Sequence, residues 1–213
     1  MDRGWGVRTR SLGGLAVCVA VAAGTPLSAQ VPQVVADFMA GAPPRTHPAA
    51  PAETEQFARL SGVWEVTEQT FDPSTGARTG TAEATWAWRR IADGFGVEDF
   101  WYQPADRYPW SGQLGRGLEL RQIRVFDPRA GHWKVAMINS TGGHTPAAVF
   151  RTFTAREVEG EIVMTYDQPR PDRDQRLVFF DIGPHRFSWR AEMSVDGGET
   201  WVLLSRIDAT RVE

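Results

Sequence analysis

The side chains best suited to chemistry in this sequence are aromatic rings and charged groups within alternating segments. The 213-residue chain carries nine Trp, eleven Phe and three Tyr. Large rings supply contact area for apolar molecules, and a nearby charged or amide group orients their polar end. The predicted ligand-binding residues are Trp64, Trp88, Glu98, Trp101, Trp133, Asn139, Tyr166, Arg190 and Arg206. These residues predict a pocket for a small, mostly apolar molecule. The alternative role is core packing for the rings and a solvated position on the outer face for the polar residues.

Two other functions stay open. In an enzyme, Glu98 or Glu192 would act as general acid or base, with an arginine partner stabilising charge. A carboxylate buried in the pocket would favour catalysis, whereas an apolar pocket with one anchoring charge would favour carriage. In an interaction module, Trp110 in the loop 104–115 would dock a partner. The sequence has no Gly-x-Ser-x-Gly, Ser-x-x-Lys, Walker or Gly-x-Gly-x-x-Gly motif, and we assign no catalytic residue.

The four histidines predict no metal site. None of His47, His132, His144 and His185 has a second His or a carboxylate at the spacing of a zinc site. Solvated histidines beside turns are therefore expected. The single cysteine excludes a disulfide scaffold and a cysteine-based zinc site. We predict neither a metal nor another cofactor.

The segment 194–201 (SVDGGETW) matches the Asp-box motif of sialidases. Sialidases repeat this motif around a propeller, for which this chain is too short, so a structural hairpin is expected. In it Asp196 accepts hydrogen bonds across the turn and Trp201 packs beneath. A loop over 196–199 would also place Trp189 opposite Arg206, in position for a cation–π contact.

Composition and charge restrict the class of protein and its partners. The chain is 42% hydrophobic and 23% charged, as is typical of a globular protein. Its net charge is −3 and it has no basic cluster, which argues against nucleic acid and anionic membranes as partners. A small hydrophobic molecule is the expected partner. The oligomeric state is not specified by the sequence.

The N-terminal segment has the features of a secretory signal peptide over residues 1–29. Arginines lie within the first ten residues, and the apolar run Leu12–Gly24 is too short to span a bilayer. A lipoprotein signal at Cys18 is the alternative, although Val17 precedes that cysteine where a small residue is needed. The sequence therefore predicts a secreted or periplasmic protein without a transmembrane span.

The elements that position the candidate residues begin after this signal. Residues 30–52 are rich in Pro and Ala, which favours an extended, semi-rigid tether with one or two helical turns over 34–39. A short helix is predicted over 53–60. From Gly62 onward, period-two segments alternate with turn signals, among them two FDPxxG strings.

The turn signals divide residues 53–213 into one domain with about ten strands. The predicted strands are 62–71, 78–91, 95–103, 116–126, 132–140, 148–158, 161–167, 175–182, 185–195 and 201–211. No long helix separates them, which excludes parallel pairing. Several strands are mixed on both faces, and this favours a barrel with a partly polar lumen over a sandwich. We predict an all-β, antiparallel, up-and-down barrel.

Four ordered motifs support a resemblance to a known class of barrels. They are 60–64 (LSGVW), 90–95 (RIADGF), 126–128 (FDP) followed by Trp133, and the segment 194–201. Together they resemble calycin barrels, namely lipocalins, fatty-acid-binding proteins and nitrobindins, and in particular an uncharacterised bacterial family of calycin-like domains. The resemblance implies a ten-stranded barrel with a ligand cavity and no established activity. It does not extend to the haem site of nitrobindins, because no histidine follows His185.

Overall fold

The computed structural model describes residues 31–108, 116–139, 149–168 and 172–212. Ten antiparallel strands follow one another around a closed barrel, in which the first strand pairs with the last. The strands are β1 (Gly62–Phe71), β2 (Arg78–Ile91), β3 (Gly96–Gln103), β4 (Leu118–Asp127), β5 (His132–Asn139), β6 (Val149–Val158), β7 (Glu161–Tyr166), β8 (Asp174–Phe180), β9 (Arg186–Ser194) and β10 (Val202–Arg211). The predicted closed, up-and-down barrel is confirmed.

The turns form where the sequence predicts them because their chemistry is local. In the first FDPxxG turn, Asp72 Oδ1 accepts the backbone N–H groups of Ser74 and Thr75, both at 2.9 Å. Asp127 does the same in the second, for the residues two and three positions on. Each turn ends in a glycine with positive φ, 68° and 66°. The two FDPxxG strings therefore encode the same turn, as predicted.

One end of the barrel, which we call the closed end, carries the connections after β2, β4, β6 and β8. Helix α2 (Thr54–Ala58) lies there, within the predicted 53–60. Its Phe57 is fully buried, with ring centroids 4.9 Å from Trp133, 5.5 Å from Phe179 and 6.0 Å from Trp88. The indole N–H of Trp133 donates to Gln56 Oε1 at 2.8 Å. Helix α2 is thus a plug held by rings and by one hydrogen bond.

The segment predicted as a tether packs against the barrel instead. Helix α1 (Gln33–Met39) lies on the outer face of β2 and β3, and its Val35 and Phe38 are buried. The Phe38 ring centroid is 5.3 Å from that of Phe100. Arg89 donates to the Phe38 carbonyl at 2.5 Å. The two apolar side chains, spaced i,i+3, give this helix a burial surface, so residues 33–39 belong to the folded domain.

The register predicted between β9 and β10 is wrong beyond the first two pairs. Val202 pairs with Met193 as expected, but the register shifts between Leu203 and Ser205. The extra residue moves the rest of β10 by one position, so Trp189 lies opposite Ile207 and not Arg206. Trp189 and Arg206 are therefore not cross-strand partners, and the predicted stacking pair is wrong.

Some sequence predictions concern residues outside the described ranges. These are the signal peptide over 1–29 with its Cys18 alternative, the Trp110 docking loop and His144. In the described part of the chain, no helix is long and apolar enough to cross a membrane.

The plug predicts a large energetic role for one side chain. We expect Phe57→Ala to lower the free energy of unfolding by about 3–5 kcal/mol, because it leaves a cavity among three rings. Urea unfolding followed by far-UV circular dichroism measures the change. The control is Phe150→Ala on the outer wall, where the ring is 66% exposed and the expected change is below about 0.5 kcal/mol. Equal losses in both variants would contradict the role of the plug.

Candidate functional site

The inside of the barrel is filled in its closed-end half. Side chains alternate between the two faces of each strand, so the buried core cluster identifies the inner face. The largest inward side chains of this half have 0–1% exposure: Trp64, Trp88, Trp133, Phe179 and Phe187. Their ring centroids lie about 5–6 Å apart, the spacing of close aromatic packing. No room for a ligand remains among them.

We call the other half of the lumen the hollow half, because the described residues do not fill it. It lies toward the open end, where the connections after β1, β3, β5, β7 and β9 are found. Inward side chains of this half keep partial exposure: Glu68, Leu118, Leu120, Met137, Arg151, Tyr166, Leu177 and Trp189. A filled core would bury them, as it buries the rings of the closed-end half. The inner wall of this half is therefore less enclosed than that of the closed-end half.

A cavity of about 280 Å³ opens at this end. Its lining is contributed by β6, β7, β8 and the β9–β10 connection: Arg151, Thr165, Tyr166, Gln168, Arg173, Asp174, Gln175, Gly197, Gly198 and Trp201. Arg151 and Tyr166 share the inner face with Phe153, so the cavity continues from the rim onto the lumen wall. It combines aromatic surface with two guanidinium groups.

The two arginines of the cavity differ in their partners. Arg173 donates to Asp172 Oδ2 through Nε at 3.0 Å and through Nη2 at 2.5 Å. Arg151 lies with its guanidinium carbon 5.9 Å from the Tyr166 ring centroid. Among the described residues Arg151 forms no ion pair. Its positive charge is therefore available to an anionic group in the cavity.

The Asp-box segment forms one side of the rim as a rigid hairpin. Asp196 accepts hydrogen bonds from the hydroxyl of Ser194 and from the backbone N–H and hydroxyl of Thr200. These bonds, that from Ser194 foremost, lower the pKa of Asp196 to about 2. Trp201 donates to the Gly198 carbonyl at 3.1 Å. The motif has the structural role predicted for it, and it holds Trp201 at the cavity.

A buried ion pair lies between the filled and hollow halves. Asp99 on β3 and Arg124 on β4 are both fully buried and bonded to each other. Trp86 donates to Asp99 at 2.9 Å, and Arg124 donates to Gln122 Oε1 at 2.8 Å. The Arg124 guanidinium also lies 4.4 Å from the Trp88 ring centroid. Burial raises the pKa of Asp99, and Arg124 and the Trp86 N–H oppose this rise.

Three N–H donors around this pair have no hydrogen-bond acceptor in the described structure. They are Trp88 Nε1, Trp101 Nε1 and Arg124 Nε. An unsatisfied buried donor costs about 1–3 kcal/mol. The interior around this ion pair therefore contains three N–H groups whose hydrogen bonds the surrounding side chains do not provide.

A second carboxyl group faces the lumen in the hollow half. Glu68 on β1 lies between Ala82 on β2 and Ile207 on β10. The Ser205 hydroxyl donates to Glu68 Oε1 at 2.6 Å. Burial raises the pKa of Glu68, and the Ser205 hydrogen bond opposes the rise. Glu68 thus keeps its proton to higher pH than an exposed glutamic acid does.

The nine predicted site residues fall into three groups. Trp101, Asn139 and Tyr166 lie on the inner face of the hollow half, Trp101 at its boundary with the filled half. Trp64, Trp88 and Trp133 belong to the filled half. Glu98, Arg190 and Arg206 lie on the outer face. A ligand-binding role for the first group stays a prediction, and the other two groups do not reach the hollow space.

The outer position of the charged candidates has a clear physical reason. Glu98 pairs with Arg89 at 2.6 Å and with Arg121 at 3.6 Å, beside helix α1. Arg190 donates to both oxygens of Glu161, at 2.8 and 3.0 Å. These pairs neutralise both charges on the outer wall, where Glu98 is buried beside α1 and Arg190 stays partly exposed.

Two further predicted groups share the outer wall. Arg206 is exposed and contacts Asp208. Glu192, the second predicted acid or base, accepts from Arg176 at 2.6 Å. Neither Glu98 nor Glu192 can therefore act on a molecule inside the lumen.

Four lumen residues were not predicted from the sequence: Glu68, Asp99, Arg124 and Arg151. A signal was present for Asp99, because Val97, Asp99 and Trp101 alternate with Glu98, and two apolar neighbours on one face indicate the inside. The same holds for Glu68, which follows Trp64 and Val66 at period two. To distinguish these inward carboxylates from the charged residues of the outer wall, one must know which face of each strand points into the barrel.

Among the described residues, no group of three His, Cys, Asp or Glu could hold a metal ion. No protein-family model and no curated protein sequence matches the chain.

Three solved structures align with most of this chain at low sequence identity. An S-type phycobiliprotein lyase from Guillardia theta aligns with TM-score 0.45 and 10% identity, over 75% of this chain and 92% of that one. The protein EF1p2_mFAP2b, bound to DFHBI, aligns with TM-score 0.36 and 11% identity, over 73% and 98%. A Nostoc punctiforme protein of unknown function from the DUF3598 family aligns with TM-score 0.23 and 12% identity, over 76% and 100%. Membership of the calycin-like family stays a prediction.

The buried pair predicts a non-additive mutational cycle. Arg124→Met leaves the Asp99 carboxylate buried without its cation, and we expect a loss of about 3–5 kcal/mol in the free energy of unfolding. The double variant Asp99→Asn/Arg124→Met removes both charges and keeps an oxygen acceptor for Trp86, so it loses less than Arg124→Met alone. Urea titrations of the wild type, both single variants and the double variant give the coupling energy. Additive losses would show that the two charges do not depend on each other.

Proposed function

We propose that this protein binds a small molecule non-covalently in the open half of the barrel, and that the ligand has an apolar or ring-bearing body and an anionic group. The observation that carries the proposal is the cavity itself, in which the Arg151 guanidinium lies 5.9 Å from the Tyr166 ring centroid and has no ion-pair partner among the described residues. Trp201 lines the same cavity, with the Arg176 guanidinium 4.0 Å from its ring centroid. Arginine binds a carboxylate or sulfonate through charge-assisted hydrogen bonds, often two at once. Beside the cavity on the inner face, Met137 pairs with Arg151 and Leu177 lies two positions from Gln175, so both extend its apolar wall.

The size of the cavity limits the ligand. Pockets for drug-sized molecules measure about 300–1,000 Å³. A cavity of about 280 Å³ lies just below this range, so the ligand has one or a few rings or a short chain. The filled half excludes longer molecules that would pass through the barrel.

Acid–base catalysis on a bound hydrophobe is the second candidate function, and one observation favours it. The lumen contains a carboxyl group with a raised pKa, Glu68, although not the predicted Glu98 or Glu192. Catalysis would also need a group beside it to stabilise developing charge. No cation contacts Glu68 among the described residues, and Arg151 lies on the far wall, since β6 is five strands from β1 in either direction. Binding is therefore the function that the geometry supports better.

The binding proposal is tested by the affinity for 8-anilinonaphthalene-1-sulfonate, an anionic aromatic dye. We expect Arg151→Leu to weaken binding about tenfold or more, because a hydrogen bond to a charged group contributes roughly 1.5–3 kcal/mol. Fluorescence titration gives the dissociation constant. The matched control is Arg156→Leu, which removes an exposed arginine from the outer face of the same strand.

A neutral dye separates the charge of Arg151 from the shape of the cavity. We expect 1-aminoanthracene to bind the wild type and Arg151→Leu with similar affinity. Equal loss of the anionic dye in both arginine variants, or no loss in either, would overturn the proposal.

Secretion to an oxidising compartment is the second part of the proposed function. The arginines and the apolar run within residues 1–29 support it, as does the absence of cysteine from residues 30–213. We expect protein produced with its own N-terminus in a secreting bacterial host to begin at Gln30. Intact mass and N-terminal sequencing of the product test this. A mass that includes residues 1–29 would contradict cleavage, and a lipid-modified Cys18 would support the lipoprotein alternative.

A further inference from the structure

Glu68 is a lumen carboxyl group that the proposed binding site does not yet use. On β1 it follows Trp64 and Val66 on the inner face, but unlike them it keeps partial exposure to the hollow half. Its Oε1 is held by the Ser205 hydroxyl at 2.6 Å. Its second oxygen has no partner among the described residues. The carboxyl group is therefore fixed in orientation, with one oxygen available to a molecule in the lumen.

The elements packed against Glu68 bring no charge to it. The inner face of β2 presents Ala82 and Ala84 beside it. The inner face of β10 presents Ser205 and Ile207.

The charged groups on other walls of the lumen and at its rim are distant or already neutralised. Asp99 and Arg124 are paired with each other below the hollow half. Arg151 projects from the opposite wall, and Asp174 and Arg173 lie at the rim of the cavity. An ionised Glu68 would thus face the hollow space without a neighbouring cation.

We infer that Glu68 is a proton-dependent ligand contact: in its protonated form it donates a hydrogen bond to an oxygen of the ligand, and in its ionised form it repels the ligand's anionic group. The inference rests on the proposed function. It adds a second recognition element, so the ligand class becomes an anionic aromatic or apolar molecule with an additional oxygen acceptor, such as a carbonyl or a second acid oxygen.

The electrostatics agree with this role. Burial raises the pKa of Glu68 above its ordinary value of 4.5, and the Ser205 hydroxyl limits the rise because it stabilises the carboxylate. The folded protein therefore holds the Glu68 proton more tightly than the unfolded chain does. As pH rises through this pKa, a negative charge enters the lumen, and an anionic ligand is expected to bind less tightly.

The experiment measures the dissociation constant of 8-anilinonaphthalene-1-sulfonate as a function of pH. This dye has one acid group and no other oxygen, so it tests the repulsion by ionised Glu68. In the wild type we expect the constant to rise with pH above the pKa of Glu68, with a slope that approaches but does not exceed tenfold per pH unit. Glu68→Gln keeps the shape and cannot ionise, so its affinity stays near the low-pH value of the wild type. Glu65→Gln on the outer face of the same strand is the control, and it retains the wild-type profile.

A third variant tests the hydrogen bond. Ser205→Ala removes the group that stabilises the carboxylate, so the inflection of the binding profile moves to higher pH. Carbon-13 NMR of the Glu68 carboxyl group, with Glu68→Gln for assignment, follows the same titration without ligand. Circular dichroism confirms that each variant is folded.

The outcomes distinguish the two proposals. If the dye binds and depends on Arg151, but Glu68→Gln follows the wild-type pH profile, the inference about Glu68 is overturned and the binding function stands. If the dye does not bind, or binds independently of Arg151, the proposed function fails. In that case the NMR titration still decides the state of Glu68: a pKa at or below 4.5 overturns its protonated character.

Discussion

The fully buried pair of Asp99 and Arg124 is the constraint around which the interior is organised. Two charges removed from water are tolerated only where their remaining hydrogen-bonding groups find partners. Here Trp86 and Gln122 supply two of these partners, and the rings of Trp88 and Phe57 face the guanidinium. Such a pair is weak evidence for stability. Its geometry, however, requires one register between β3 and β4, since a slip of one residue would turn either charge outward.

The pair also lies at the boundary between the filled half and the hollow half of the barrel. Below it, α2 and the packed rings exclude solvent. Above it, the inner wall changes to medium-sized apolar side chains with Glu68 and Arg151 on opposite sides. A lumen with an acid on one wall and a cation on the other favours a molecule with two distinct polar ends.

Much of the fold is predictable from the sequence because its signals are local. The two FDPxxG turns, the Glu159–Gly160 turn and the Asp-box hairpin all depend on residues within a few positions, and strand boundaries follow from them. The faces of the strands are harder to predict. On β3, Glu98 and Asp99 each have a ring two positions later, Phe100 and Trp101. What decides between them is helix α1, which covers the Glu98 face from more than 50 residues away, as the 51-position separation of Arg89 and Phe38 shows.

The candidate site was only partly predictable for the same reason. Trp101, Asn139 and Tyr166 were placed correctly on strands and lie on the inner wall. Glu98, Arg190 and Arg206 were predicted because their side chains are charged. They lie on the outer wall, where ion pairs such as Arg190 with Glu161 neutralise their charges. The bulge near Leu204 has no spacing signal, since both strands look regular on either side of it.

The seam between β1 and β10 has a consequence for how the molecule is made. Its contacts join residues far apart in the chain, 137 positions for Glu68 with Ser205 and 150 for Ser61 with Arg211. Contacts of such separation form slowly, and this seam cannot form before β10 has been synthesised. Until then β1 and the growing meander present unpaired edges, which are prone to aggregation. Folding and aggregation therefore compete until this seam has closed.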